Sequence, residues 1–265
     1  MTETRIMEAR GVSFSYGSRS VLADLDLEVR PGCFYGLVGP NGSGKTTLLD
    51  LLLGVRRPEA GEVFFLTRPV AGFGRRELAR HVALAPQEFA INFPFTVEEV
   101  VFMGRHPFVG RFGTPSRRDL DLVAWAMHAL GLANLKHKPV TELSSGEKQR
   151  AVLARTLAQD TPVVVLDEPT SNLDIRHALE VLRTVKDLVE AKGRTAVAVM
   201  HDLNLAASFC HELVYLKDGR VFVSGPVREV LTEENIAAVF GVVSKVHREP
   251  ASGSPWVVFN QGGRA

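Results

Sequence analysis

The segment GPNGSGKTT, Gly39 to Thr47, constrains this chain more than any other stretch. It fits G-x-x-x-x-G-K-[ST] and stands between the apolar run FYGLVG (34–39) and TTLLDLLLG, which reads as a helix closed by Gly54. A strand entering a glycine-rich loop and a helix leaving it is the context this motif requires. Gly39, Gly42 and Gly44 let the backbone approach an anion with no Cβ in the way. The N–H groups at the helix start then face phosphate oxygens, with the helix dipole assisting. Pro40, Asn41 and Ser43 complete the cradle. Lys45 is placed for the β- and γ-phosphates, Thr46 for Mg²⁺ and Thr47 for the α-phosphate. The expectation is a nucleoside triphosphate site, with kinases, GTPases and motors all still open.

The surrounding pattern is α/β. Leu25, Leu27 and Val29 alternate with Asp26, Glu28 and Arg30, as in a half-buried antiparallel strand. Residues 59–66 and 80–86 read as short strands, and VVVLD (163–167) and TAVAVM (195–200) as buried ones. LVYLKDGRVFVSG (213–225) carries Asp218-Gly219, a two-residue hairpin signal. Between about 88 and 160 the pattern turns helical. There DLDLVAWAMHAL (119–130) sets Leu122, Trp125, Met127 and Leu130 on one face, and SSGEKQRAVLARTLAQ (144–159) spaces Val152, Leu153 and Leu157 helically. A further helix is expected around 176–192. Strand–helix alternation argues for a parallel sheet covered on both faces, interrupted by a mainly helical insert.

Composition narrows the classes. With 31 Lys+Arg against 30 Asp+Glu there is no general pull toward nucleic acid or anionic lipid. At 45% hydrophobic and 23% charged the chain is globular in type. Cys33 and Cys210 are too few for a disulfide framework, which fits a reduced compartment. The charged start MTETRIMEAR is unlike a signal peptide, and no apolar run approaches a membrane span. The expectation is a cytosolic protein.

In VVVLDE (163–168) four apolar residues precede two carboxylates. Ligands of such sheets sit beyond the carboxyl ends of the strands, so Asp167 is placed to hold Mg²⁺ and Glu168 to deprotonate a water. No guanine-reading Asn-Lys-x-Asp segment is present, which favours ATP hydrolysis over a GTPase.

LSSGEKQR (143–150) precedes the acid strand and starts a predicted helix. It resembles the LSGGQ-type signature of ABC ATPases, the ATP-binding subunits of ABC transporters, and the resemblance runs from Ile6 to about Phe240. It implies a P-loop NTPase (RecA-like) core with an antiparallel β subdomain (1–87 and 161–241), a helical insert subdomain at about 88–160, and a short extension at 242–265. The residues it assigns are Tyr16 to stack on adenine, Gln87 to sense Mg²⁺ and the attacking water, and Ser144, Ser145, Gly146 and Glu147 to form the signature. Ser171-Asn172-Leu173-Asp174 matches the loop that crosses the subunit interface, and His201 the histidine that contacts the γ-phosphate, with Asp202 beside it. Taken singly, each has a blander reading: Tyr16 as a strand aromatic, Gln87 as an exposed loop residue, His201 as a polar strand end and Asp174 as a helix N-cap. Ser145 stands where the common pattern has glycine and is expected in an ordinary helix-start conformation.

The resemblance further implies a head-to-tail homodimer with two ATP molecules, each γ-phosphate shared between one copy's phosphate loop and the other copy's Ser144–Gly146. Separate membrane permease subunits, and indirectly a solute-binding protein, are the implied partners, with no nucleic acid. The implied location is the cytoplasmic face of the cell membrane. FPFTVEEVVFMGRHPF (93–108), with Gly104, Arg105 and Pro107, resembles importer ATPases for iron–siderophore, haem and cobalamin, as does the segment 242–259 with its strand-like WVVF. Zinc/manganese and molybdate importers, and DNA- or ribosome-acting ABC ATPases, are the alternatives. Phe89, Phe93, Phe95 and Phe108 form either a docking patch for the permease, if exposed, or insert core, if buried.

Overall fold

A computed structural model of the chain describes residues 5–87, 93–110, 113–250 and 253–264, with side chains as far as residue 260. The chain runs β1 (Met7–Tyr16), β2 (Arg19–Val29), β3 (Phe34–Val38), α1 (Lys45–Leu52), β4 (Ala60–Phe65), β5 (Arg68–Pro69), α2 (Arg75–Leu78) and β6 (Val82–Ala85). It continues through α3 (Val97–Phe102), α4 (Arg117–Ala129), α5 (Ser145–Ala158), β7 (Val163–Asp167), α6 (Ile175–Lys192) and β8 (Thr195–Val199). After β8 come α7 (Leu203–Phe209), β9 (Glu212–Lys217), β10 (Arg220–Pro226), α8 (Val227–Val230), α9 (Glu233–Phe240), β11 (Val242–Arg248) and β12 (Pro255–Arg264). Two compact units result, Met1–Phe73 with Val197–Ala265 and Gly74–Ala196, and the division falls inside β8.

The first unit holds a four-stranded antiparallel sheet ordered β2-β1-β4-β5. In β2 the expected alternation holds: Leu25, Leu27 and Val29 are buried while Asp26 and Glu28 face solvent. The run 34–38 is buried at every position and pairs in parallel with β9, from Tyr35 opposite Glu212 to Val38 opposite Tyr215. Continuous burial is why that strand carries no polar alternation. Strands β9 and β10 form the hairpin that Asp218-Gly219 announces, both turn residues having positive φ (49° and 73°) as a type I′ turn needs. At the C-terminal end β11 and β12 form an antiparallel pair, in line with the strand-like WVVF. Asn204 ties it down through both ends of its side-chain amide, donating to the Val257 carbonyl (3.1 Å) and accepting from its N–H (2.7 Å).

In the second unit β6 and β7 pair in parallel, Val82 with Val163 through Ala85 with Leu166. Helix α6 buries Ala178, Val181, Leu182, Val185, Leu188 and Val189 on one stripe and stops at Gly193 (φ 62°). Helix α4 starts two residues before the expected segment, and its buried face is centred differently. Val123, Ala126, Met127 and Leu130 are buried, whereas Leu122 and Trp125 are only half-covered. Lys192 caps the Trp125 ring at 4.5 Å, so that aromatic lies at the edge of the stripe.

The Gly104-Arg105-x-Pro107 element is a set of internal staples. Arg105 is 4% exposed; its Nε donates to Asp119 (2.8 Å) and its Nη1 to the carbonyls of Ala158 (2.9 Å) and Gln159 (2.7 Å) at the end of α5. The Pro107 carbonyl accepts from Arg76 and Arg80. A Cβ on Gly104 would lie 2.1 Å from the Arg155 carbonyl oxygen, so α5 passes where only glycine fits. Overpacking of this kind costs about 1–3 kcal/mol. Gly104→Ala is therefore expected to lower the unfolding free energy by that amount, seen as a lower denaturant midpoint at an unchanged m-value, and a wild-type midpoint would refute the close approach.

Asp119 also accepts from the N–H (2.8 Å) and hydroxyl (2.6 Å) of Ser116, the N-cap of α4. Burial pushes its carboxyl up, but the Ser116 hydrogen bonds and the Arg105 guanidinium outweigh this and hold it below the usual aspartate range. A carboxyl depressed on folding stabilises above its unfolded pKa of about 3.9, and that contribution is lost as pH falls through the folded value. Asp119→Asn should thus cost about 3–5 kcal/mol at pH 7, the penalty of stranding a buried charge. The gap to wild type should narrow below pH 4, as urea titrations at both pH values would show. A gap independent of pH would contradict the ionised pair.

Candidate nucleotide site

The first unit presents the triphosphate cradle. Strand β3 delivers the chain to Gly39, where a Cβ would meet the Leu216 carbonyl oxygen at 2.2 Å. Gly44, the N-cap of α1 at φ 101°, lies so close to Leu22 that a Cβ would meet its Cδ2 at 2.5 Å. Neither position accepts another residue. Helix α1 has no side-chain cap and no acidic residue in its first turn, so the positive end of its dipole at the loop is not offset by a carboxylate of its own. The Ser43 hydroxyl is buried and lacks a partner, a polar atom whose burial a phosphate oxygen would offset. Lys45, 6% exposed, folds back to donate to the Gly39 and Pro40 carbonyls, 2.9 Å each. Thr46 is exposed and Thr47 buried, and Pro40 and Asn41 complete the loop's outer side.

Tyr16 closes β1 with its ring 45% exposed, set edge-on to Phe14 at 5.0 Å. His201 follows β8 and is exposed. Its neighbour Asp202 is the N-cap of α7, accepting from the N–H groups of Asn204 (2.8 Å) and Leu205 (3.0 Å). That cap is a role the His-Asp pattern alone did not disclose.

The second unit carries the carboxylates and the signature. Asp167 ends β7 and is 5% exposed. Glu168 follows at φ 50°, a left-handed backbone that costs a residue with a Cβ about 1–2 kcal/mol. The strain is held by the chain just beyond, where Ser171 donates to the Glu168 carbonyl through its N–H (3.3 Å) and its hydroxyl (3.1 Å). Gln87 donates its amide to Glu168 Oε2 at 2.8 Å, which brings together two residues the sequence places 81 apart.

Ser144 is the N-cap of α5 in extended conformation (φ −63°, ψ 164°), and Ser145 begins the helix without positive φ, as expected. The Ser144 hydroxyl accepts from the Glu147 N–H (3.3 Å) and the Glu147 carboxylate accepts from the Ser144 N–H (2.8 Å). This reciprocal box explains a glutamate at that position. The bond from the Ser144 N–H, chief among several, holds the Glu147 carboxyl below its ordinary range. Gly146 lies against the Asn172 carbonyl, where a Cβ would be 3.2 Å away, so the start of α5 and the loop at 171–174 adjoin. Asp174 caps α6 as its sequence position suggests, accepting from the His177 N–H and ring, 2.9 Å each. These bonds, the backbone one first, lower its carboxyl.

A sequence profile for the ABC transporter family matches residues 22–171, from within β2 past the acid pair. The chain belongs to the ABC transporter family. Among curated relatives, the hemin import ATP-binding protein HmuV of Thermobifida fusca is 42% identical over 260 residues, covering 96% of this chain and 89% of its own length. The ferric enterobactin transport ATP-binding protein FepC of Escherichia coli is 35% identical, covering 97% and 96%. The cobalamin import ATP-binding protein BtuD of Halobacterium salinarum is 42% identical over 94% of this chain, which spans 62% of that relative's length. Among solved structures, an inward-facing ABC transporter described as of metal-chelate type superposes with TM-score 0.81 at 28% identity, over 97% of both chains. An ATP-binding cassette caught as a dimer in a post-hydrolysis state with ADP and Pi gives TM-score 0.74 at 27% identity, over 83% of this chain and 98% of that one.

The residues of this ABC chain fit a magnesium nucleotide. Among the described residues no group of three or more His, Cys, Asp or Glu side chains could hold a metal. Each unit by itself carries oxygen donors of the kind a hard cation takes alongside waters and phosphate oxygens: the exposed Thr46 hydroxyl in the first, and the buried Asp167 carboxylate and the Gln87 amide in the second. Of the four phenylalanines singled out in the sequence of this ABC chain, Phe93, Phe95 and Phe108 are 68%, 38% and 37% exposed, while Phe89 lies outside the described residues.

Proposed function

We propose that the chain is the ATP-hydrolysing subunit of an importer, working as a homodimer on the cytoplasmic face of the cell membrane beneath separate permease subunits. The observation that carries the hydrolytic reading is Glu168, fixed in a strained backbone and hydrogen-bonded by Gln87. Strain of this kind gathers at functional positions. Glu168 takes a proton from the attacking water as that water's oxygen bonds to the γ-phosphorus, and the bond to the β-phosphate oxygen breaks to leave ADP. Gln87 holds the carboxylate and the water in line. Lys45 and the α1 N–H groups neutralise the phosphate oxygens, His201 contacts the γ-phosphate, and Tyr16 stacks on adenine. Thr46 of the first unit, and Asp167 and Gln87 of the second, are the donors the reading assigns to Mg²⁺, which would supply charge neutralisation along the triphosphate.

The second copy enters through α5. Ser144 stands at the N-terminus of α5, beside the helix N–H groups near Ser145 and Gly146, where the helix dipole favours an anion. A γ-phosphate gripped there as well as by the partner's phosphate loop joins the two copies, and its release lets them part. Chemistry is converted to motion by differential binding to two states.

The import reading is supported by relatives named as hemin import, ferric enterobactin transport and cobalamin import ATP-binding proteins, which match nearly all of this chain. No helix among the described residues is long and apolar enough to cross a membrane, so a separate permease fits. The exposed Phe93, Phe95 and Phe108 are the surface offered to it. An iron chelate or cobalamin is the proposed cargo, delivered by a solute-binding protein that does not touch this subunit. The Gly104-Arg105-x-Pro107 element serves internal packing and carries no weight in that choice. Co-purification with the permease and binding protein, followed by ligand binding to the latter, tests the assignment. Haem, a ferric siderophore or cobalamin should bind. Binding of zinc or molybdate instead, or stimulation of ATPase activity by DNA or ribosomes, would move the chain to another class.

A further inference from the structure

Tyr16 is not alone at the end of β1. The Arg56 guanidinium lies over its ring with Cζ 4.8 Å from the centroid, and reaches Phe14 at 5.8 Å. Arg56 is itself anchored to α1, the helix that leaves the phosphate loop. Its Nε donates to the Asp50 carboxylate at 3.0 Å and its N–H to the Asp50 carbonyl at 3.2 Å. Asp50 is well covered, with 23% of its side chain exposed, so the guanidinium is held at a fixed place. A chain of contacts thus runs from α1 through Asp50 and Arg56 to the aromatic ring, all within the first unit.

We propose that Arg56 is a positioning residue for nucleobase recognition: it occupies one face of Tyr16 and presents the other to the base, at a distance from the phosphate loop set by Asp50. The inference rests on the reading of Tyr16 as the adenine platform. A cation seated on an aromatic face restrains the ring. Phe14 supports the edge, so ring rotation is limited from two sides. Without Arg56, a ring 45% exposed would sample several rotamers, and part of the stacking energy would go to ordering it.

The test separates base from phosphate recognition in the full-length protein. Arg56→Ala should raise the KM for ATP by about two- to fivefold, the scale of an exposed cation–π contact, with kcat unchanged. The inhibition constant of inorganic tripolyphosphate, which has no base, should not move, and Arg56→Lys should recover part of the loss. Tyr16→Ala should raise the KM for ATP at least as much, and adding Arg56→Ala to it should change nothing further. Equal weakening of ATP and tripolyphosphate by Arg56→Ala would overturn the proposal, because the residue would then act on α1 and the phosphate loop. An unchanged KM in Arg56→Ala with a raised one in Tyr16→Ala would overturn the proposal alone. An unchanged KM in Tyr16→Ala would remove the adenine platform and this inference with it.

Discussion

Glu168→Gln is expected to lower ATP turnover by about 10²–10⁴-fold, the range over which a positioned general base contributes. ATP affinity should stay within about twofold, since no phosphate contact assigned above is removed. The substitution keeps the side-chain length and leaves an amide oxygen for Gln87, whose Nε2 donates to Glu168 Oε2 at 2.8 Å. It removes only the capacity to accept a proton at pH 7. Steady-state phosphate release gives the first quantity and calorimetric titration with ATP the second. Turnover at the wild-type rate would take Glu168 out of the mechanism.

Lys45→Ala should weaken ATP binding by about 100-fold or more. Hydrogen bonds to charged groups contribute about 1.5–3 kcal/mol each, and Lys45 has two phosphates to serve, so even one such bond accounts for about tenfold. A second effect adds to this. The ammonium bridges the Gly39 and Pro40 carbonyls, and deleting it loosens the loop whose N–H groups form the rest of the cradle. Lys45→Met, which preserves most of the volume, should bind ATP as poorly as the alanine variant. Unchanged nucleotide affinity in either variant would contradict the cradle.

Much of this was legible in the sequence because local patterns carried it. The phosphate loop announces its own geometry, since glycine spacing, lysine and helix start are all consecutive. The Asp218-Gly219 turn, the alternation in β2 and the cap at Asp174 are likewise local, each decided within a few residues. What the sequence withheld depends on distant pairs. Gln87 and Glu168 are far apart along the chain and meet only through the parallel pairing of β6 with β7. Gly104 and Arg105 could be singled out as a pattern, but their purpose needs α5, whose Arg155 carbonyl and last turn lie against them. Arg56 gave no signal, because cationic residues after a helix are ordinary and only the folded chain lays this one over Tyr16. The buried face of α4 shifted for a related reason: its first turn is committed to the Asp119–Arg105 pair, a demand helical periodicity does not register.

The central claim is that one triphosphate is gripped by two copies of this chain, so that its cleavage releases them. The direct measurement is the mass in solution of the Glu168→Gln protein, with its permease or alone, by light scattering or sedimentation in the presence of ATP and then of ADP. Twice the chain mass of 29.0 kDa with ATP, reverting to a single copy with ADP and abolished by Ser144→Arg at the facing turn, is the predicted result for the isolated subunit. A single copy under ATP saturation, together with no ATP-dependent closure in the permease complex, would contradict it.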